Sequence, residues 1–345
     1  MTVQTAIAAD APTETEAAPL ARAPGAEGLL ARAMAPFQPM ADAYADLGHA
    51  IDALEGTGGR PVAATARRLK RTRRRTEPAV TMIGQVKAGK TSLVNAMVGQ
   101  PGLLPADVNP WTSVVTSLHL SPEPAADGVE AVFRFFEADQ WQRLMKNGGR
   151  IGELAGRAGA EDEVARVTAQ LEAMRKKSMR RLGAQFELLM GQEHRYGHVD
   201  AELIERYVCL GDDFGAAPSG AQGRLADITR SADIHLHRPE FPVPICLRDT
   251  PGVNDTFLMR EQITIQAIRD SRTCVVVLSA HQALNAVDLA LIRLIANIPS
   301  RDVVIFVNRI DELSEPGAHV GEIEESIRQT IHDHRGPSEA EIVFG

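Results

Sequence analysis

The amino-acid sequence predicts an α/β fold in which a mainly parallel central sheet is wrapped by helices, with an N-terminal helix before it and a helical insertion within it. From Val80 onward, short β-branched runs alternate with helical stretches, which is typical of parallel strands joined by helical crossovers. A glycine-rich phosphate-binding pattern lies directly between the first run and a helical stretch. Upstream, apolar residues recur at alternating spacings of three and four, the pattern of one helix face.

The composition limits the kind of protein this chain can be. It has 345 residues, of which 44% are apolar, enough for one large domain or two ordinary ones. A net charge of −8 gives no overall basic field, so we expect no nucleic-acid partner. We expect neither a secretory signal nor a membrane span, because the apolar runs fall far below the roughly 20 residues that cross a bilayer. Three isolated cysteines, Cys209, Cys246 and Cys274, argue against a disulfide framework and a structural zinc site, and favour the cytoplasm.

The N-terminal part is predicted in two pieces. Residues 1–28, rich in alanine and lacking an apolar period, are expected to be a disordered leader. Residues 29–75 are expected to be a helical segment whose apolar stripe needs a partner and would otherwise favour association. The basic run that ends this segment is interpreted as a solvated linker or a surface for acidic partners, because helical spacing spreads its charges. The stripe comprises Phe37, Met40, Tyr44, Leu47, Ile51 and Leu54, and the run comprises Arg67, Arg68, Lys70, Arg71, Arg73, Arg74 and Arg75.

Residues 76–345 are predicted to form the α/β domain. A stretch at about 139–207 departs from the alternation, because apolar residues at near-helical spacing are interleaved there with basic ones, and we interpret it as a helical insertion. His194 and His198 within it are interpreted as surface residues, since no third metal ligand is apparent. The strand-like runs are residues 79–83, 114–120, 129–136, 234–237, 243–247, 273–278, 303–307 and 341–344.

The phosphate-binding pattern is G-x-x-x-x-G-K-[ST]. Its glycines let backbone N–H groups turn onto phosphate oxygens, and the following helix N-terminus adds a favourable dipole. We expect Lys90 to reach the β and γ phosphates and Thr91 to ligate Mg²⁺. The pattern indicates a nucleoside triphosphate without identifying the base. The matching residues are Gly84, Gln85, Val86, Lys87, Ala88, Gly89, Lys90 and Thr91, with Ser92 following in the helix.

A candidate base-reading segment, Asn308-Arg309-Ile310-Asp311, follows the apolar run 303–307. The carboxylate of Asp311 can accept two hydrogen bonds from guanine N1–H and its exocyclic amine, a pattern that adenine does not offer. We expect Asn308 to support the guanine O6 side and Arg309 to lay its stem against the base. The same four residues in isolation also fit a simple loop, in which Asn and Asp are turn residues.

Two further segments are candidates for the catalytic centre. Asp249 follows the run 243–247, where an acid can hold a Mg²⁺ water, and Gly252 is placed to bring its N–H to the γ-phosphate. In the loop before residues 114–120, the hydroxyl of Thr112 could ligate Mg²⁺ while its main-chain carbonyl orients the attacking water. Ser113 and Thr116 lie close enough that the residues alone leave this choice open.

Taken in order, GQVKAGKT, LLPADVNPWTS, DTPGVND and NRID resemble the GTPase domain of the dynamin superfamily, particularly bacterial dynamin-like proteins. The resemblance covers about residues 80–345 and selects Thr112 as the switch threonine. It implies a P-loop GTPase domain that hydrolyses GTP to GDP with Mg²⁺, stimulated by dimerisation of two such domains and coupled to membrane remodelling. It also implies a cytoplasmic protein peripheral to a membrane, with lipid contacts and the rest of a hinge-forming helical bundle beyond residue 345.

The catalytic groups are expected to differ from those of Ras-like proteins. Val253 stands where those proteins have a water-positioning glutamine, so Thr112 and the phosphate loop are expected to take over water placement and charge stabilisation. Lys87 occupies the position at which dynamin has a serine that helps bind a monovalent cation. We interpret Lys87 either as an internal cationic finger that replaces this cation or as a solvated loop lysine.

The sequence is also compatible with two other functions. The chain could be a regulatory GTPase that switches a protein or ribosomal partner without deforming a bilayer. It could also be an ATP-using kinase or transport ATPase, in which case Asp311 is only a turn residue. Competition between GTP and ATP separates the last alternative from the others.

Overall fold

The structure, a computed structural model, describes residues 25–57, 59–106, 114–125, 127–140, 172, 176, 178–180, 182–183, 185–209, 225–252, 266–282, 284–296, 302–313, 316–334, 336–337 and 339–345. The predicted leader lies outside the described residues up to residue 24, and helix α1 already begins at Ala26. The helices are α1 (Ala26–Met34), α2 (Gln38–Thr57), α3 (Arg60–Arg75), α4 (Lys90–Val98), α5 (Gln185–Leu189), α6 (Ala201–Val208), α7 (Ala286–Ala296) and α8 (Pro316–Asp333). The strands are β1 (Ala79–Gly84), β2 (Val115–Ser121), β3 (Ala131–Phe135), β4 (Glu193–Tyr196), β5 (Thr229–His237), β6 (Ile245–Asp249), β7 (Thr273–Ser279), β8 (Asp302–Asn308) and β9 (Glu341–Phe344).

The described strands form one sheet in the order β4-β3-β5-β2-β6-β1-β7-β8-β9. Strand β1 pairs in parallel with β6 and β7, and the parallel arrangement continues through β8 to β9. Strand β2 is parallel to β5 and antiparallel to β6, and β3 is antiparallel to both β4 and β5. One apolar cluster joins β2, β3 and β5 to α4 and α6, and another joins β7 and β8 to α7 and α8. The predicted α/β class with a mainly parallel central sheet is therefore confirmed.

The prediction of a helical insertion at about 139–207 is wrong in part, because the insertion also contains a strand. Helices α5 and α6 lie within it, but β4 adds an antiparallel edge to the sheet between them. This four-residue strand, Glu-His-Arg-Tyr, was missed because its side chains are polar and it is too short for a clear alternation, features common in edge strands. His194 on β4 is half-buried rather than a surface residue, with its Nδ1 2.6 Å from the Tyr207 hydroxyl.

The basic run is a helix and not a linker. Helix α3 packs against α2, and Ile51 of α2 and Ala66 of α3 are both buried. The Arg73 guanidinium lies 4.5 Å from the ring centroid of Tyr44, and the Tyr44 hydroxyl donates to the Arg73 carbonyl over 2.7 Å. Lys70 pairs with Asp52 across the same contact, with 2.6 Å between the charged atoms. Part of the positive charge is thus used to join the two helices.

The apolar stripe, which begins at Phe37 in a 3-10 turn, Ala35–Phe37, and continues along α2, is only partly covered. Tyr44 is half-buried and Ile51 is buried, whereas the other four stripe residues are exposed. Among the residues that the structure describes, no helix is both long enough and apolar enough to cross a bilayer. The exposed members of the stripe are Phe37, Met40, Leu47 and Leu54.

Candidate nucleotide-binding site

The phosphate loop connects the end of β1 to the start of α4. Gly84 and Gly89 have φ angles of 157° and 91°, and a Cβ at either position would overlap a neighbouring group, Val277 O or the Asn308 amide. Lys87, between them, adopts a left-handed conformation with φ of 64° and carries an exposed side chain. The loop therefore requires glycine where β7 and β8 approach it most closely.

Lys90 turns back across this loop. Its side chain belongs to a residue that is 6% exposed, and its Nζ donates to the carbonyl oxygens of Gly84 at 3.2 Å and Gln85 at 2.8 Å. The same residue opens α4, where backbone N–H groups of the first turn have no partner within the helix. An ammonium group and a helix N-terminus thus converge on one concavity, an arrangement that binds phosphate.

Thr91 and Asp249 meet beside the loop because β6 runs parallel to β1. The Thr91 hydroxyl donates to Asp249 Oδ2 over 2.7 Å, and Asp249, at the end of β6, is fully buried. The next residue, Thr250, donates its hydroxyl to the Met82 carbonyl over 2.7 Å and so ties the segment to β1. Hydroxyl and carboxylate oxygens are the hard donors that Mg²⁺ prefers, so these residues fit the expected ion.

Gly252 lies directly against the phosphate loop. A Cβ at this position would lie 2.8 Å from both the backbone nitrogen and the Cα of Val86, closer than real contacts allow. Only glycine permits this approach, so the D-x-x-G segment and the loop share one surface.

Asn308 links the candidate base-reading segment to the phosphate loop. Its Nδ2 donates to the Ala88 carbonyl over 3.0 Å, and its Oδ1 accepts from Arg309 N over 2.9 Å. The amide is therefore engaged by backbone groups on both sides, which gives Asn308 a bracing role, and its expected contact with guanine O6 stays a prediction.

The other base-reading candidates, Arg309 and Asp311, follow Asn308 at the end of β8, and of the two only Asp311 is exposed. Asp311 lies in a 3-10 turn, Ile310–Glu312, with its side chain open to solvent. Arg309 has a φ of 68°, and its Nε donates to Glu312 over 2.7 Å, which lowers the pKa of the Glu312 carboxyl. Glu312 also contacts His281 Nε2 at 2.8 Å, which connects this turn to the residues that follow β7.

Two supporting contacts were not anticipated from the sequence. Gln85 of the loop donates its Nε2 to Asp288, a residue 2% exposed, over 2.8 Å. Asp288 also exchanges hydrogen bonds with Asn285 in a capping box at the start of α7. The sequence signal was available as Asn-x-x-Asp before an apolar helix, but its link to Gln85 spans 203 positions.

The second contact fixes the start of the switch segment. Asn95 on α4 donates to the Leu104 carbonyl over 2.7 Å and accepts from Leu104 N over 2.9 Å. Thr112, the candidate switch threonine, lies outside the described residues, as does Val253. Lys87 makes no hydrogen bond to another described residue, so its interpretation as a finger stays a prediction.

These features define a P-loop nucleotide-binding domain of the GTPase type. The glycine-rich loop lies between a strand and a helix, and Lys90 crosses it. The Thr91–Asp249 pair lies beside the loop, and the N-x-x-D segment is hydrogen-bonded to it. Comparison with known proteins narrows the class. The model of the dynamin family matches residues 80–311. The chain belongs to the dynamin family.

Individual relatives match over short segments. A bacterial dynamin-like protein of Nostoc punctiforme is 48% identical over 42 residues, which are 12% of this chain and 6% of that protein. An uncharacterised protein encoded in the xynA 3′ region of a Caldicellulosiruptor species is 46% identical over 48 residues, 14% of this chain and 12% of that protein.

The fold is also that of a solved bacterial dynamin pair, which is described as providing a mechanism for the long-range sensing and tethering of membranes. The TM-score is 0.55 at 18% identity, over 88% of this chain and 45% of that one. This chain therefore spans about half the length of the solved relative.

Proposed function

We propose that this chain binds GTP with Mg²⁺ and hydrolyses it to GDP, that two copies dimerise during hydrolysis, and that the cycle is coupled to membrane remodelling by a longer polypeptide. The observation that carries the guanine assignment is the bond from Asn308 to Ala88, because it places the N-R-I-D segment next to the phosphate loop. The bacterial dynamin pair described above supports the membrane part of the proposal through its fold.

Residues from the phosphate loop, α4, β6 and the switch segment would each contact a different part of the bound GTP. Lys90 would leave the loop carbonyls and place its ammonium on the β and γ phosphates, while the α4 N-terminus binds the remaining oxygens. Thr91 and Asp249 would hold Mg²⁺, which when bound neutralises charge that develops on the phosphates. Gly252, already against Val86, would direct its N–H to the γ-phosphate. Thr112 would orient the attacking water through its carbonyl oxygen.

The guanine assignment is tested by changing one acceptor into a donor. Asp311→Asn replaces a carboxylate oxygen with an NH₂ group, which opposes the exocyclic amine of guanine but complements the carbonyl of xanthine. We expect GTP affinity to fall by about 100-fold or more and xanthosine triphosphate affinity to rise, measured by competition against a fluorescent nucleotide. Asp302→Asn, at the opposite end of β8 and exposed, is the matched control. Effective displacement of GTP by ATP in the unaltered chain would refute the assignment.

The roles of Lys87 and of dimerisation are tested together. We expect the chain to be monomeric with GDP and dimeric with GDP and aluminium fluoride, as measured by analytical ultracentrifugation. Lys87→Ala should lower dimer-stimulated turnover by about 100-fold, because cationic fingers contribute on this scale. Unchanged turnover of this variant, with and without K⁺, would leave Lys87 as a solvated lysine.

Membrane coupling is tested with the longer polypeptide and liposomes of anionic lipid. We expect flotation with the liposomes and nucleotide-dependent deformation of them. Absence of lipid engagement with both GTP and GDP would favour the alternative, a regulatory GTPase that acts on a protein or ribosomal partner.

A further inference from the structure

A row of metal-ligating side chains crosses the sheet at the end remote from the phosphate loop. In the register of β2, His119 pairs with His235 on β5 and with Cys246 on β6. Cys246 in turn pairs with Ala79, the first residue of β1, and Glu77 lies just before that strand. Directly paired residues on neighbouring strands project to the same face of a sheet, so these side chains converge.

The three innermost groups are close enough to share one ion. The Nδ1 of His119 lies 2.6 Å from Glu77 Oε2, and the ligand atoms of Glu77, His119 and Cys246 all lie within 4.8 Å of one another. In a tetrahedral site with bonds of about 2.0–2.3 Å, neighbouring donors are about 3.5 Å apart. Side-chain movements of about 1 Å would therefore bring the three donors to coordination distance.

The surroundings of His119 already resemble the outer shell of a metal site. Its second ring nitrogen, Nε2, lies 3.2 Å from Asp233 Oδ1, and Asp233 is itself bonded to Arg134. Metal-ligating histidines commonly donate their other N–H to a carboxylate in this way, which fixes the ring orientation and the tautomer. The Nδ1 atom is thereby left to face Glu77 and the cluster.

There is also room for a further ligand. A cavity of about 250 Å³ is lined by Glu77, His119 and His235, together with residues of the β2–β3 connection. The His235 ring stacks on that of His119 with 4.6 Å between centroids. Cys246 is 1% exposed at the inner side of the cluster, so an ion there would be closed off from bulk solvent on that side and open on the other.

We propose that Glu77, His119 and Cys246 form a binding site for a divalent transition-metal ion of the zinc type, with water or His235 as the fourth ligand. A mixed set of carboxylate, imidazole and thiolate donors matches the preference of Zn²⁺ and differs from the all-oxygen set that Mg²⁺ takes. Five strand steps of about 3.3 Å separate Ala79 from Gly84, so this site lies on the order of 17 Å from the phosphate loop and is distinct from it.

The expectation from the sequence that the cysteines hold no metal depended on spacing along the chain. Here the ligands come from β2, from β6 and from the segment just before β1, with 42 positions between Glu77 and His119, so the register of the sheet and not a local motif brings them together.

Cobalt provides the direct test, because Co²⁺ replaces Zn²⁺ and a thiolate bound to it absorbs in the near ultraviolet. The whole chain, treated with EDTA and free of nucleotide, is titrated with Co²⁺. We expect a thiolate-to-cobalt charge-transfer band that saturates at an equimolar ratio, is lost on addition of Zn²⁺ and is unaffected by excess Mg²⁺. No such band with excess Co²⁺ would overturn the proposal.

Variants assign the ligands. Cys246→Ala should abolish the band and weaken metal affinity by more than about 100-fold, since even outer-shell changes cost 10–100-fold. Cys274→Ala is the matched control, because Cys274 is equally buried on β7 but outside the cluster. Glu77→Gln, at a half-exposed position before β1, should retain the band and weaken affinity, which keeps the test decisive if Cys246→Ala does not fold. A band that persists in Cys246→Ala, or an affinity unchanged in Glu77→Gln, would refute the site.

Discussion

The brace between Asn308 and the phosphate loop makes a quantitative prediction. Asn308→Ala removes the bond to the Ala88 carbonyl at 3.0 Å and the bond from Arg309 N at 2.9 Å. Each neutral hydrogen bond contributes about 1 kcal/mol, and a buried carbonyl left without a partner costs about 1–3 kcal/mol. If the loop loses about 2 kcal/mol of this support, nucleotide affinity falls by about 10–100-fold, because each 1.4 kcal/mol is a factor of ten.

The assay is a titration with a fluorescent GTP analogue, followed by competition with inorganic tripolyphosphate, which carries no base. If Asn308 supports the phosphate loop, its loss should lower the affinities for both ligands by the same factor. Gln329→Ala, which removes an exposed amide hydrogen bond of 2.7 Å on α8, is the control and should leave both affinities unchanged. If the affinity for GTP falls while the affinity for tripolyphosphate does not, Asn308 acts on the base and does not support the phosphate loop.

Three further predictions concern other parts of the domain. Gly252→Ala should abolish GTP turnover while GDP binding persists, because its new Cβ would meet Val86 and displace the segment that approaches the γ-phosphate; normal turnover would contradict this. Asp288→Ala should lower the free energy of unfolding by about 1–2 kcal/mol through loss of the capping box, and should also lower GTP turnover because Gln85 loses its partner. Urea unfolding measures the first effect and a steady-state assay the second. A loss of stability with normal turnover would show that the contact with Gln85 does not support the phosphate loop. Burial lowers the pKa of His194 below its unfolded value of about 6.5, so the unfolded state takes up the proton first and stability is lost as pH falls from about 6.5 through the folded pKa. His194→Gln should make the urea midpoint depend less on pH in this range. An equal pH dependence in both proteins would contradict the assignment.

The elements whose conformation depends on the local residue pattern could be predicted from the sequence. The apolar runs in β1, β7 and β8 are easy to recognise, because these parallel strands have only one exposed residue among them, Asp302, and therefore carry few polar side chains. The phosphate loop is equally local, since its glycines and lysine act through the backbone of a single turn. Strand β4 was missed because its pairing partner, and not its own composition, determines its conformation.

Contacts between distant segments could not be predicted from the sequence. The pairing of Gln85 with Asp288 depends on where the loop after β7 passes over the phosphate loop. The approach of Gly252 to Val86 likewise depends on the parallel register of β6 and β1. Local chemistry identified Gln85 and Gly252 as candidates, whereas only the folded sheet shows which groups they meet.

The left-handed backbone at Lys87 has a consequence for how that position is used. An L-residue in this conformation is disfavoured by roughly 1–2 kcal/mol, a cost that glycine escapes. Lys87→Gly would therefore relieve torsional strain and raise thermal stability while deleting an ammonium from the rim of the nucleotide pocket. If Lys87 acts as the proposed cationic finger, this one substitution would raise thermal stability and lower GTP turnover, so a single amino acid would set the two properties against each other.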